Sequence, residues 1–194
     1  MKKLLLASAL MLPLAGCISF GAKPPPSLLN LTASATVPVG DTQRAPGAPT
    51  IVINAPAVPQ ELATLRVPVR ANPTSIAYLK DAQWVEPVNR LFARMLGDTI
   101  TARTGRVVVG NRQFGAEPGA VVNGDLRNFG VDAASGDVVV TYDVALTRGT
   151  GNALEKRRFE ARVPAGTVEA SAVGVALNQA ANQVAGEVAD WVGR

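Results

Sequence analysis

The sequence predicts an α+β fold, with one domain in which two amphipathic helices pack on one face of an antiparallel or mixed β-sheet. Apolar residues recur at three- and four-residue spacing in residues 86–104 and again in residues 168–192. Between these segments, residues 137–147 alternate between apolar and polar side chains, which is typical of a strand with one wet face. The order strands, helix, strands, helix favours a shared sheet that carries both helices.

The chain begins with a predicted bacterial lipoprotein signal peptide, residues 1–16. Lys2 and Lys3 precede an apolar run that is far shorter than the ~20 residues of a membrane-spanning helix. The run ends in Leu-Ala-Gly directly before Cys17, which is the lipobox pattern. We therefore expect cleavage before Cys17 and acylation of this residue, which would hold the mature chain on a lipid bilayer. Ile18 stands where an Asp retains enterobacterial lipoproteins at the inner membrane, which favours the periplasmic side of the outer membrane.

Residues 17–49 are predicted to form a Pro-rich tether between the acylated cysteine and the domain. Its proline triplet, residues 24–26, favours extended polyproline geometry. Within the tether, the apolar patch at residues 28–31 is a possible edge strand that joins the domain. The domain itself is expected to span residues 50–194.

Short strands are predicted at residues 50–55 and 75–80, before the first helix. The helix, residues 86–104, has Pro87 in its first turn and Gly105 just past its end. Further strands are predicted at residues 106–110, 120–129, 137–147 and 154–163, and Gly149, Gly151 and Asn152 form a turn before the last of them. The many charges of residues 154–163 suit a strand at the edge of the sheet. Thr167 is the expected N-cap of the second helix.

Composition excludes several functional classes. Removal of Lys2 and Lys3 with the signal peptide leaves 17 of the 19 basic residues against 15 acidic ones, a formal net charge of +2 instead of +4. Because no basic cluster is interleaved with aromatics, a nucleic-acid partner is not expected. The chain has no histidine, and its single cysteine is the one expected to be acylated. It therefore lacks the commonest general base, metal ligand and thiol nucleophile, and we predict no enzyme, no cofactor and no metal site.

Tyr78 and Trp84 are the candidates for contact with a partner or a ligand. A tryptophan just before a helix more often packs over the junction of helix and sheet than in a binding site, which favours a core role for Trp84. The sequence is compatible with a homo-oligomer.

Several segments together resemble the ABC-type transport auxiliary lipoprotein family. They are the lipobox, the Pro-rich tether, residues 62–96 (LATLRVPVRANPTSIAYLKDAQWVEPVNRLFARML), VVNGDLRNF, GDVVVTYDVAL and a closing Ala/Val helix that ends in VADWV. The family places a strand with a tyrosine before a Trp-x-Glu-Pro turn that opens the first helix. In this sequence the matching residues are Tyr78, Trp84, Glu86 and Pro87.

The resemblance implies a periplasmic accessory of a lipid transporter that is built from an ATPase, a permease and a mammalian-cell-entry-type substrate-binding protein. Such an accessory acts by protein–protein docking, with the mammalian-cell-entry-type protein as its partner. Two other functions stay open from the sequence. One is an activator or structural partner of a cell-wall enzyme, and the other is a lipid-binding carrier, which needs an apolar cavity of several hundred Å³.

Overall fold

The computed structural model describes residues 25, 27–43, 50–109, 118–149 and 154–194. Cys17 and the predicted signal peptide lie outside these residues, as do Gly151 and Asn152 of the predicted turn. The predicted tether, residues 17–49, is described only over residue 25 and residues 27–43.

Seven strands and two α-helices make up the described fold, in the order that follows. The elements are β1 (Ile51–Ile53), a short 3-10 helix (Gln60–Leu62), β2 (Arg66–Asn72), β3 (Ser75–Gln83), α1 (Val88–Thr104), β4 (Val108–Val109), β5 (Ala120–Asp132), β6 (Asp137–Arg148), β7 (Leu154–Pro164) and α2 (Ala170–Val192). The α+β prediction is confirmed.

All seven strands belong to one mixed sheet that is organised around β5. On one edge, β5 pairs in parallel with β1 at residues 120–122 and with β2 at residues 131–132. β4 lies outside β1, and β3 lies antiparallel outside β2. On its other edge, β5 pairs antiparallel with β6, which pairs antiparallel with the edge strand β7.

The core lies between the two helices and one face of this sheet. The predicted alternation of β6 is present, since its apolar residues are buried on the helix side: Val138, Val140, Tyr142, Val144 and Leu146. Phe92 of α1 packs edge-to-face on Tyr142 and on Phe129 of β5, with ring centroids 5.1 and 6.3 Å apart. Three alanines of α2, Ala180, Ala181 and Ala185, are fully buried.

The structure departs from the expected elements in three places. Residues 66–72, which contain Pro68 and were assigned no strand, form β2. Proline is tolerated there because the parallel pairing of β2 with β5 begins only at Val69, so it needs no N–H from Pro68. Glu169, not Thr167, is the N-cap of α2, with an extended backbone. Pro87 is the N-cap of α1 rather than a residue of its first turn, whereas Gly105 ends this helix in the left-handed conformation with a φ of 67°.

Candidate functional site

The two aromatic residues singled out from the sequence lie in different environments. Trp84 is 1 % exposed, and its ring packs edge-to-face on Phe129 at 5.6 Å. Its Nε1–H has no hydrogen-bond partner within the described part of the chain. Tyr78 is half-buried on β3, and the Arg66 guanidinium carbon lies 4.2 Å from the centre of its ring. Trp84 is therefore a core residue here, and the structure does not bring the two together in one pocket.

Helix α2 binds a segment of the predicted tether, residues 28–34, which we call the strap. Leu31 is buried in the core. Leu29 forms a parallel bridge with Trp84, since the Leu29 N–H donates to Gln83 O at 2.7 Å and its carbonyl accepts from the Val85 N–H at 2.9 Å. The possible edge strand is thus a single bridge at Leu29.

Two asparagines one turn apart on α2 hold the backbone of the strap. Asn178 Oδ1 accepts from the Thr32 N–H at 2.8 Å, and Asn182 Oδ1 accepts from the Ser34 N–H at 2.7 Å. Asn182 Nδ2 donates back to Thr32 O at 2.9 Å. Gly174 provides room, because a Cβ at this position would lie 2.8 Å from Leu29 Cδ2. Asn178 and Asn182 bind backbone atoms of the strap and not its side chains. The side chains of α2 therefore hold the strap in place along the helix.

Replacing both asparagines, Asn178→Ala with Asn182→Ala, is expected to loosen the strap. Three hydrogen bonds at roughly 0.5–1.5 kcal/mol each are lost, so the free energy of unfolding should fall by about 1.5–4.5 kcal/mol. Hydrogen exchange of the Thr32 and Ser34 amides should become faster. Chemical denaturation and amide exchange measure the two effects.

The matched control is Gln179→Ala with Gln183→Ala, on the exposed side of the same helix, where neither glutamine bonds the strap. Both pairs raise helix propensity, the asparagine pair by more, so the control removes part of that contribution. Equal exchange rates at Thr32 in the two double variants would contradict the role given to the asparagines.

The face of the sheet opposite the helices carries a connected polar network. Its centre is Thr141, which is 3 % exposed. The Thr141 hydroxyl accepts from Asn128 Nδ2 at 3.1 Å and donates to Glu160 Oε2 at 2.8 Å. Arg162 Nε donates to Glu160 Oε1 at 3.0 Å, and Arg70 donates to Asn128 Oδ1 at 3.3 Å. The network therefore ties β2, β5, β6 and β7 together on this outer face.

Two acids of the outer face, Asp143 and Glu160, have lowered pKa values. Burial raises the pKa of Glu160, but the hydrogen bonds from Thr141 and Arg162 outweigh it and hold the pKa below its ordinary value. The Arg158 guanidinium donates to both oxygens of Asp143 and lowers the pKa of that carboxyl. A carboxylate with a lowered pKa is a poor proton acceptor near neutral pH, so neither acid is suited to general-base chemistry.

A groove opens on the outer face, lined by residues of β2, β3, β5, β6, β7 and the 3-10 helix. Its volume is about 90 Å³. Three arginines and two acids line it among apolar residues: Arg70, Arg127, Arg162, Glu61 and Asp132. We call it the arginine groove. The depressions beside α2 are larger but shallow and open to solvent.

Within the described ranges, no three His, Cys, Asp or Glu residues cluster in a way that could hold a metal ion. In the same ranges, no helix combines the length and the apolarity needed to cross a membrane. Sequence reasoning missed Thr141, Glu160, Asn178 and Asn182 as members of polar contacts. The spacing of Asn178 and Asn182 is the one local signal that marks a pair on a single helix face.

Comparison with known proteins gives a family and a fold. The family model described as the ABC-type transport auxiliary lipoprotein component matches residues 29–189. The crystal structure of a protein from Xanthomonas campestris has 18 % identity and a TM-score of 0.71, with 86 % of this chain and 95 % of that chain covered. The crystal structure of an uncharacterized protein has 19 % identity and a TM-score of 0.65, with 74 % and 92 % covered. None of the curated proteins compared matches this chain.

Proposed function

The chain belongs to the family of ABC-type transport auxiliary lipoprotein components, and from this membership we propose that it is a periplasmic accessory of a mammalian-cell-entry-type lipid transport system. It acts by docking its folded domain onto the mammalian-cell-entry-type protein. Cys17 carries the lipid anchor, on the periplasmic side of the outer membrane. The accessory is not an enzyme.

The observation that carries this proposal is the extent of the family match. It begins at Leu29, the residue through which the strap bridges to Trp84, and it ends in the last turns of α2. The matched region, residues 29–189, therefore covers the strap from Leu29 onward and the folded domain into the last turns of α2. The anchor and the segment before Leu29 lie outside this region, which fits a domain that binds and a separate segment that tethers.

The chemistry of the outer face supports docking over catalysis. Asp143 and Glu160 are ion-paired and have lowered pKa values, so both carboxylates serve to hold neighbouring strands together. The arginine groove, at about 90 Å³, is smaller than the roughly 300–1,000 Å³ of small-molecule sites. A whole lipid does not fit in it. The depressions beside α2 are larger, at about 420 and 440 Å³, but they are open to solvent and do not enclose a ligand, so the described residues favour a docking protein over a lipid carrier.

The strap shortens the reach of the anchor. Counted from Cys17, Leu28 is 11 residues further along the chain and Thr50 is 33 residues further. At no more than about 3.6 Å per residue, the first distance spans at most about 40 Å and the second about 120 Å. With the strap bound to α2, Leu28 stays within about 40 Å of the membrane surface, so the anchor holds the strap side of the domain near the membrane.

The proposal is tested by capture of the full lipidated chain from detergent extracts, followed by identification of the bound proteins and by native mass spectrometry. We expect the mammalian-cell-entry-type protein in the eluate, and we expect resistance to detergents to fall when the chain is deleted from cells. Capture of a cell-wall synthase instead would establish the activator function. Phospholipid bound to the chain in the absence of a partner would establish a carrier.

A further inference from the structure

The floor of the arginine groove is apolar and formed by closely packed backbone. Gly130 of β5 lies there because a Cβ at this position would meet Pro68 O at 2.3 Å, so only glycine fits between the two strands. Val139 of β6 pairs with Gly130 and is 7 % exposed. The absent side chain at Gly130 therefore lets β2 and β5 approach each other closely at the floor of the groove.

The three arginines of the groove differ in how many of their donors are used. Arg162 is bound by Glu160 at 3.0 Å and by Asp132 at 3.4 Å. Arg70 makes one hydrogen bond, to Asn128, and its contact with Glu61 at 3.9 Å is too long to be another. Arg127 makes no hydrogen bond or close ion pair within the described residues. Since a guanidinium has five N–H donors, Arg70 and Arg127 keep most of theirs available.

The free donors of the groove suit a carboxylate with one negative charge. Three arginines and two acids line the groove, and Glu160 beside it holds Arg162, so the available donors are those of Arg70 and Arg127. A carboxylate accepts two parallel hydrogen bonds from a guanidinium and carries one charge. Glu61, Asp132 and Glu160 disfavour a second negative charge on the bound group, because like charges at short range repel. The apolar floor suits the methylene groups of an acidic side chain, and about 90 Å³ suits one such side chain.

We propose that the arginine groove receives the carboxylate of an aspartate or glutamate side chain of the docking partner. Arg70 and Arg127 bind the carboxylate oxygens, and Pro68, Gly130 and Val139 contact the methylene groups. Arg162, already held by Glu160 and Asp132, forms the opposite wall. This assignment rests on the proposed function, because it places the docking contact of that function on the outer face and not on α2 or the strap.

The test compares two charge-matched double variants of the full chain in detergent, each binding the purified mammalian-cell-entry-type protein. Arg70→Gln with Arg127→Gln is expected to weaken the Kd at least tenfold and to reduce its salt dependence. Lys80→Gln with Arg90→Gln removes the same charge from exposed positions of β3 and α1 that do not line the groove, and we expect a change below threefold. Circular dichroism melting confirms that both variants fold. Equal affinity of the two variants would overturn the assignment.

If the proposed function is wrong, the unmodified chain itself does not bind the mammalian-cell-entry-type protein. In that case an NMR titration tests the groove, with N-acetylglutamate α-methylamide, whose one carboxylate is that of the side chain, and with inorganic phosphate as the comparison. Shifts at the Gly130 and Val139 amides with N-acetylglutamate α-methylamide, absent in Arg70→Gln with Arg127→Gln, would support the carboxylate site. No shift, or stronger shifts with phosphate, would overturn it.

Discussion

Replacing Phe92 by alanine is expected to lower the free energy of unfolding by about 3–5 kcal/mol. Phe92 is fully buried, and it is the α1 residue that contacts the rings of both Phe129 and Tyr142 on the sheet. Its removal takes away the transfer free energy of the ring and two edge-to-face contacts, and it leaves a cavity where the helix meets the sheet. Urea denaturation followed by circular dichroism measures the change.

Tyr142→Phe is the matched control, because it alters the same cluster without changing its packing. The Tyr142 hydroxyl is buried and has no hydrogen-bond partner among the described residues, and burial raises the pKa of this tyrosine above its ordinary value. Loss of this hydroxyl is expected to leave stability unchanged or to raise it by about 1 kcal/mol. A Phe92→Ala chain as stable as the Tyr142→Phe control would contradict the position given to Phe92 in the core.

Local periodicity was enough to predict the elements that form this cluster. α1 has its apolar stripe at three- and four-residue spacing, and its C-terminus is marked by Gly105, whose φ of 67° favours glycine. β6 alternates with a period of two because only one of its faces meets the helices. In both elements the hydrophobic periodicity is contained within the residues of the element itself. Burial of one face is enough to produce it, so it can be recognised without knowing the rest of the fold.

The order of the strands could not be predicted in the same way. Parallel pairing of β1 and β2 with opposite ends of one edge of β5 joins residues that are more than 60 positions apart. No periodicity encodes such a pairing. β2 was also not predicted, because a proline within a run argues against a strand. The sequence does not show that β2 pairs with β5 only beyond Pro68.

The candidate site shows the same limit. The arginine groove combines Arg70 of β2, Arg127 of β5 and Arg162 of β7, and exposed arginines carry no local signal that distinguishes a binding group from a solvated one. Trp84 was a candidate because of its place before α1, and the structure gives it a core contact with Phe129. The strap can be recognised in the sequence as an apolar patch. Its hydrogen bonds to Asn178 and Asn182 cannot, because these residues lie on a helix about 150 residues further along the chain.

Replacing Cys17 by serine is expected to abolish the lipid anchor. The diacylglyceryl group is attached to the sulfur atom of the cysteine. A serine hydroxyl is not expected to be modified in its place. We expect unprocessed precursor in cells and no incorporation of labelled palmitate. The strap and residues 50–194 keep their sequence, so the thermal transition of the domain should stay the same.

Ser19→Ala is the control, because it leaves Leu14, Ala15, Gly16 and Cys17 in place and should be cleaved and acylated as before. The two variants separate anchoring from docking. If the anchor acts by raising the local concentration of the domain at its partner, Cys17→Ser should lose detergent resistance in cells while binding the purified partner with unchanged Kd. Palmitate labelling of the Cys17→Ser chain would contradict the anchor, and full detergent resistance without labelling would mean that the domain reaches its partner without one.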